Sequence, residues 1–152
     1  MISQTTEYAL RAVVYLAQHH DERLTVQRIA DGTKVSSPYL SKILQSLGAE
    51  GLVIAQRGKK GGFGLAREPK EITMLDVVNA VEPIRRIRSC PLDLEEHGTH
   101  LCALHRRLDE AAQRLERHFG DATIASLLSR RSKHQPLCSF PGAKTEKKGD
   151  VG

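Results

Sequence analysis

The feature that most constrains this sequence is a one-sided apolar helix that runs directly into a basic, glycine-rich turn. Ser37 is suited to cap this helix and Pro38 to occupy its first position, so the helix is predicted to begin at residue 38 and to end between residues 49 and 51. Its apolar residues recur three and four positions apart, and they are Leu40, Ile43, Leu44 and Leu47. The pattern predicts one buried stripe and one exposed polar face.

The polar face of this helix carries hydroxyl groups, an amide and a lysine, which can contact base edges and phosphates. The candidate DNA-binding residues of the helix and its flanks are Ser36, Ser37, Pro38, Tyr39, Ser41, Lys42 and Gln45. Any solvated helix can carry such groups, so this face alone does not distinguish a DNA-binding helix from an ordinary one.

The segment after the helix, LVIAQRGKKGGFGLA, is typical of two short strands at residues 52–56 and 63–66. The turn between them holds Arg57, Lys59 and Lys60 beside glycines, which allow a backbone to approach a phosphate or enter a minor groove. A charged hairpin is more often a solvated turn. Its position directly after the helix favours a DNA-binding wing.

Two further helices are predicted before this unit. The first covers residues 6–19, with apolar positions at Leu10, Val13, Val14 and Ala17. The second is short, with Thr25 as its N-cap and Gly32 as its expected end. Together these elements predict a mainly α fold, a winged helix-turn-helix with a two-stranded wing.

The second half of the chain is predicted to contain a short helix after Thr73, a loop over residues 84–100, a long helix over residues 101–119 and a last helix over residues 122–129. The long helix carries an apolar seam of Leu101, Leu104, Leu108, Ala111, Leu115 and Phe119. Such a seam requires a partner helix, so we expect a long C-terminal dimerisation helix. The predicted units are a DNA-binding domain (1–67), a sensor loop with dimerisation helices (68–129) and a basic tail (130–152).

The net charge of +5 is distributed unevenly along the chain. Residues 1–67 hold 9 Lys and Arg against 5 Asp and Glu, residues 68–129 hold 8 against 11, and residues 130–152 hold 6 against 2. The tail is rich in Lys, Gly and Pro and is predicted to be disordered. The positive charge of the first segment is therefore the informative part, and it indicates an anionic partner such as DNA.

The order of TTEYALRAVVYLA, TVQRIADGTKVSSPYLSKILQSLGAEGLV and QRGKKGGFGLA resembles the bacterial family that includes the iron–sulfur assembly repressor IscR and the nitric-oxide-sensing repressor NsrR. The resemblance covers about residues 1–129 and is most specific over residues 35–65. It implies a homodimer with the long helix at its interface. It also implies binding to an imperfect palindromic operator in double-stranded DNA and, usually, repression of transcription.

Sensing members of that family hold an iron–sulfur cluster through three cysteines in the loop before the long helix, here CPLDLEEHGTHLCALH. Cys90 and Cys102 match the outer cysteines, whereas the position of the middle cysteine falls at about Glu96 or His97. The resemblance adds two further candidate ligands, His105 at an IscR-like histidine position and Glu7 at an NsrR-like carboxylate position. Glu7 would reach across from the other subunit.

The donor chemistry leaves several interpretations of this loop open. Two thiolates with imidazole ligands can hold a 2Fe-2S cluster, as in Rieske centres, so a 2Fe-2S cluster is the predicted cofactor, with His97 and His100 as substitute ligands. His105 follows Cys102 by one helical turn, which places both on one face. Two sulfurs and two imidazoles would also satisfy zinc, and both cysteines could instead be buried thiols without a metal. Cys138 is interpreted as a bystander.

No enzyme is predicted, because GKKGGFG leads into a strand and lacks the GK[ST] ending of a phosphate-binding loop. The preferred function is a DNA-binding repressor that senses nitric oxide, redox state or iron–sulfur status. The alternative is a cluster-free winged-helix regulator controlled by a small metabolite or a partner protein, and a non-specific nucleic-acid-binding or structural protein is the third hypothesis. No stretch approaches the roughly 20 apolar residues that span a bilayer, so a cytoplasmic protein with no membrane partner is expected.

Overall fold

The computed structural model describes residues 2–92 and 100–129 of the chain. Its helices are α1 (Gln4–Gln18), α2 (Val26–Thr33), α3 (Ser37–Ala49), α4 (Met74–Val81), α5 (Ala103–Gly120) and α6 (Ile124–Ser129). Strands β1 (Val53–Gln56) and β2 (Gly62–Leu65) pair antiparallel, and a short 3-10 turn (Pro69–Glu71) precedes α4. The predicted mainly α winged helix-turn-helix with a two-stranded wing and a long C-terminal helix is confirmed. The predictions for His97, for Cys138 and for a disordered tail lie outside the described residues.

The core holds α3 with its polar face outward. Its four predicted apolar residues are buried, at 0% to 3% exposure, and they are Leu40, Ile43, Leu44 and Leu47. They pack with apolar residues of α1 and α2 and also with Ile72, Val77 and Ile124 from the second half of the chain. Burial of this apolar surface is the main favourable contribution to folding. It fixes α3 relative to α1, α2 and α4.

The second helix ends later than predicted. Gly32 does not stop α2, which continues through Thr33 and ends where Lys34 adopts a left-handed backbone conformation with φ of 58°. At Gly32, α2 approaches Tyr15 of α1 closely, because a Cβ at residue 32 would lie 2.2 Å from Cζ of Tyr15. This glycine therefore serves helix packing and not helix termination.

Several other element ends also differ from the predictions. Helix α1 begins at residue 4 because the Ser3 hydroxyl accepts a hydrogen bond from a backbone N–H of its first turn. Ser36, and not Ser37, is the N-cap of α3, so Pro38 is the second helical residue. Helices α5 and α6 begin at residues 103 and 124, each two residues later than predicted. Strand β1 begins one residue later than predicted, and β2 begins and ends one residue earlier. Shifts of one or two residues are common, because helix and strand ends are weakly specified by sequence patterns.

Side-chain hydrogen bonds cap two helix starts: the predicted N-cap Thr25 is confirmed, and Thr73 is the N-cap of α4. The hydroxyl of Thr25 accepts from the backbone N–H of Arg28 at 3.2 Å. The hydroxyl of Thr73 accepts from the backbone N–H of Asp76 at 3.1 Å. The backbone N–H of Thr73 in turn donates to the side-chain carboxylate of Asp76, which completes a capping box. Both helix starts are therefore fixed by local chemistry.

The wing is attached to the helix-turn-helix by an antiparallel β-bridge between Leu24 and Phe63 of β2. Backbone hydrogen bonds join Leu24 to Phe63 in both directions, at 2.9 Å and 2.7 Å. Leu24 lies between α1 and α2, and it is fully buried. The wing is therefore fixed relative to the connection between α1 and α2.

Gly62→Ala is expected to detach the wing from this bridge. Gly62 has a φ of 143°, and a Cβ there would lie 2.7 Å from the backbone oxygen of Leu24. Because a backbone oxygen cannot rotate away, we expect the free energy of unfolding to fall by about 2–4 kcal/mol from backbone strain and overpacking. Urea unfolding followed by circular dichroism measures this change.

Gly48→Ala is the matched control, since Gly48 is exposed near the end of α3 and a Cβ there would meet only the oxygen of Val53 at 3.6 Å. This substitution is expected to raise the free energy of unfolding by about 0.5–1 kcal/mol, because alanine has the higher helix propensity. Equal unfolding midpoints for Gly62→Ala and the parent protein would contradict the role given to Gly62.

Helix α5 is covered at its C-terminal end and exposed at its N-terminal end. Phe119 is buried and Leu115 is half-buried, whereas Leu104 and Leu108 are 62% and 50% exposed. Two of the six predicted seam residues are thus large apolar side chains in contact with solvent.

Across residues 2–92 and 100–129, no helix is both long enough and apolar enough to cross a membrane.

Candidate functional site

The predicted DNA-binding face of α3 is exposed. Its exposed residues are Ser36, Pro38, Tyr39, Ser41, Lys42 and Gln45, and Ser37 is half-buried. The hydroxyl of Ser41 donates to the backbone oxygen of Ser37 at 2.9 Å, and the hydroxyl of Ser37 donates to the side-chain oxygen of Gln27 at 3.1 Å. Gln27 belongs to α2, so this contact joins the two helices of the helix-turn-helix at the start of α3.

A cluster of residues on α1 also supports the start of α3. The ring of Tyr8 packs edge-on against the ring of Tyr39, with 5.7 Å between centroids and 88° between planes. The hydroxyl groups of Thr5 and Tyr39 form a hydrogen bond, and the side-chain amide of Gln4 donates to the hydroxyl of Tyr8 at 2.8 Å. The side chain of Tyr39 is therefore held by α1. Sequence reasoning missed Thr5 and Tyr8, because their contacts join residues that are far apart along the chain.

Arg11 connects α1 to the end of α2. Its guanidinium lies 5.1 Å from the centre of the Tyr8 ring and donates to the backbone oxygen of Thr33 at 2.7 Å. It also donates to both carboxylate oxygens of Glu7 at 2.7 Å. The spacing of four residues between Glu7 and Arg11 was a sequence signal for this pair.

The wing presents three cations next to this helix. Arg57, Lys59 and Lys60 are exposed, as predicted. Gly58 has a φ of 107°, and its oxygen accepts from the backbone N–H of Gly61 at 2.9 Å, which closes the turn. Gly58 and Gly61 therefore form the tight turn from which the basic side chains extend into solvent.

A groove of about 290 Å³ lies between α3 and the wing. Ser41, Gln45 and Gly48 line it from the helix, and Val53, Ala55 and Phe63 line it from the strands. The polar face of α3 and the wing thus form one continuous surface. This surface can place hydroxyl and amide groups in a major groove while cations of the wing contact the adjacent backbone.

The structure brings together two of the predicted metal ligands. The Sγ atom of Cys102 lies 3.3 Å from Nδ1 of His105, at the first turn of α5. Cys90 is 4% exposed, and His100 is exposed. Among the described residues, no three His, Cys, Asp or Glu side chains are grouped closely enough to hold a metal ion.

One soft sulfur and one imidazole nitrogen on the same helical turn fit two ligand positions of an iron–sulfur cluster or a zinc ion. Glu7 does not fit in its present conformation, because both of its carboxylate oxygens accept hydrogen bonds from Arg11. It would have to leave Arg11 before it could bind a metal.

The segment that carries Cys90 is tied to α5 by Arg86. The Nε and Nη2 atoms of Arg86 donate to the two oxygens of Asp109 at 2.6 Å and 2.7 Å, and Nη1 donates to Glu116 at 3.1 Å. These hydrogen bonds lower the pKa of Asp109 to about 2 and raise the pKa of Arg86, since each favours the charged form. The ion pair therefore stays charged at neutral pH. Sequence reasoning missed this ion pair, because nothing in the sequence distinguishes Arg86 from the neighbouring arginines Arg85 and Arg88.

Comparisons with known proteins place these features in context. The family profile described as Rrf2, iron-dependent transcriptional regulator, matches residues 2–130. An HTH-type transcriptional regulator of Aquifex aeolicus is 31% identical over 137 residues, which are 88% of this chain and 95% of the relative. The solved structure of T. potens IscR is 26% identical with a TM-score of 0.70, and the match covers 84% of this chain and 85% of that one. CymR, the global cysteine regulator of B. subtilis, is 26% identical with a TM-score of 0.69, covering 84% and 95%.

Proposed function

Because this chain belongs to the Rrf2 family of transcriptional regulators, we propose that it is a homodimeric repressor that binds an imperfect palindromic operator in double-stranded DNA. The family match confirms the resemblance to IscR-type regulators and the predicted DNA-binding regulatory class. It also confirms that the chain is not an enzyme, since its relatives are transcriptional regulators. The finer proposals concern the operator, the dimer and the sensed signal.

The observation that carries the DNA-binding proposal is the continuous exposed surface of α3 and the wing. In this proposal α3 enters the major groove, where the Gln45 amide can read an adenine edge and Lys42 can contact a guanine or a phosphate. The wing cations contact the neighbouring backbone or minor groove. Residues 1–67 form the DNA-binding unit, and residues 68–129 supply the sensor loop and the dimer helix.

Selection of bound duplexes from a random DNA pool tests this proposal. We expect enrichment of a site with two related half-sites about one helical turn apart, as a symmetric dimer requires. Gln45→Ala is expected to lose base preference at one position in each half-site, at a cost of about 1–3 kcal/mol per base pair. Gln113→Ala is the matched control, because Gln113 is exposed on α5. A pool without any enriched sequence would contradict operator recognition.

The contact between Cys102 and His105 supports a second proposal, that Cys90, Cys102 and His105 hold a 2Fe-2S cluster. A bound cluster would supply a redox-active centre that oxidants or nitric oxide can modify. His97, His100 or Glu7 of a second subunit are the candidate completing ligands. The similarity to a global cysteine regulator supports the alternative, a cluster-free protein controlled by a small metabolite or a partner protein.

Reconstitution with iron and sulfide in the absence of oxygen separates these proposals. Wild-type protein is expected to gain visible absorption with matching iron and sulfide content, and Cys102→Ser and His105→Ala are expected to lose both. His118→Ala is the control, since His118 is an exposed histidine near the other end of α5. Bound zinc without visible absorption would favour a zinc site, and colourless, metal-free protein that still binds operator would favour the cluster-free alternative.

A further inference from the structure

Arg86 pairs with two carboxylates of α5. Its guanidinium presents a two-pronged contact to Asp109 and a third hydrogen bond to Glu116. The backbone N–H of Ile87 donates at 2.9 Å to Oδ1 of Asp109, the oxygen that also accepts from Nε of Arg86. Asp109 therefore binds both the side chain of Arg86 and the backbone of the next residue, which fixes the direction of the chain at this point.

This network is largely shielded from solvent. The side chains of Arg86, Asp109 and Glu116 are 14%, 17% and 30% exposed. Arg85 and Arg88, on either side, are exposed. Screening by salt is weak for such partly buried pairs, and removal of one partner leaves the other charge without compensation. Arg86 is thus distinguished from its neighbours by its contacts.

The position of the network in the chain gives it a specific consequence. Arg86 lies four residues before Cys90, and Asp109 lies seven residues after Cys102. The ion pair and the Ile87 hydrogen bond therefore fix the chain at residues 86 and 87 against α5, shortly before Cys90. Fixing the chain at this point restricts the positions that the following residues can reach. Cys90 has only 4% of its surface exposed.

We propose that Arg86 is a positioning residue that fixes the chain before Cys90 against α5 and thereby keeps the Cys90 thiol shielded. This contact would hold Cys90 in place for a metal or another ligand. The proposal does not depend on the iron–sulfur hypothesis, because its test uses metal-free protein.

Thiol labelling of the full chain tests this role. In a Cys102→Ser, Cys138→Ser background, Cys90 is the only thiol, since the sequence has three cysteines. Metal-free protein is treated with a chromogenic disulfide reagent. We expect Arg86→Met to increase the labelling rate of Cys90 by about tenfold or more, because the segment around Cys90 opens locally when it is released from α5. Arg88→Met, the matched control, is expected to label at the parental rate.

Two further measurements separate positioning from a general loss of stability. Arg86→Lys keeps the charge but not the two-pronged geometry, so it should restore part of the protection. Labelling of Arg86→Met should depend only weakly on urea at low concentration, as expected for local opening and not for global unfolding. If Arg86→Met does not fold, Asp109→Asn provides the same comparison. Parental labelling rates in folded Arg86→Met or Asp109→Asn, or equal acceleration in Arg88→Met, would overturn the proposal.

Discussion

Replacing Arg57, Lys59 and Lys60 together by glutamine is expected to weaken operator binding by about 100-fold at roughly 0.15 M salt. All three side chains are exposed on a turn that adjoins the polar face of α3. Each cation that neutralises a phosphate releases a condensed counterion, which contributes about 0.9 to the slope of log affinity against log salt. Loss of three contacts should therefore lower this slope by between about two and three.

Fluorescence anisotropy titrations with a labelled operator at several salt concentrations measure both quantities. The control replaces Lys70, Arg85 and Arg117 by glutamine, which removes the same charge from exposed positions outside α3 and the wing. An equal loss of affinity in the control would show that overall charge, and not contact by the wing, governs binding. An unchanged salt slope in the wing variant would also contradict direct phosphate contacts. Single replacements Arg57→Ala and Lys59→Ala should each account for about one phosphate contact.

The fold of the N-terminal half was predictable because its signals are local. The apolar stripe of Leu40, Ile43, Leu44 and Leu47 follows the helical period, and the glycine-rich turn directly follows that helix. Gly32 was misinterpreted for the opposite reason. A glycine near a helix end usually indicates termination, but this one is required by the ring of Tyr15 on another helix. A sequence pattern does not contain that contact.

The candidate sensor site was predictable only in part. The pairing of Cys102 with His105 follows from helical spacing, and the structure places these atoms 3.3 Å apart. The support of Tyr39 by Thr5 and the pairing of Arg86 with Asp109 join residues from separate elements. Such contacts depend on how the helices pack, which local periodicity does not determine. The ligand role of Glu7 remains a prediction that must now account for its ion pair with Arg11.

Leu108→Glu is expected to convert the proposed homodimer to a monomer. Leu104 and Leu108 expose large apolar surfaces on the N-terminal half of α5, where a second copy of the helix would cover them. In a two-fold symmetric interface each substitution occurs twice, so a central residue worth about 2 kcal/mol costs about 4 kcal/mol per dimer. The dimer dissociation constant should rise by roughly 1,000-fold, since each 1.4 kcal/mol corresponds to tenfold.

Sedimentation equilibrium measures the association directly, and operator titration shows its consequence, because a monomer can contact only one half-site. Gln113→Glu is the control, since it adds the same charge to an exposed position on the opposite side of α5. A dimeric Leu108→Glu variant would contradict this interface. Phe119 is already buried within the protomer, so the available apolar surface lies at the end of α5 that begins after Cys102. Dimer formation and the proposed ligand site would therefore depend on the same end of one helix, and a change at either should affect the other.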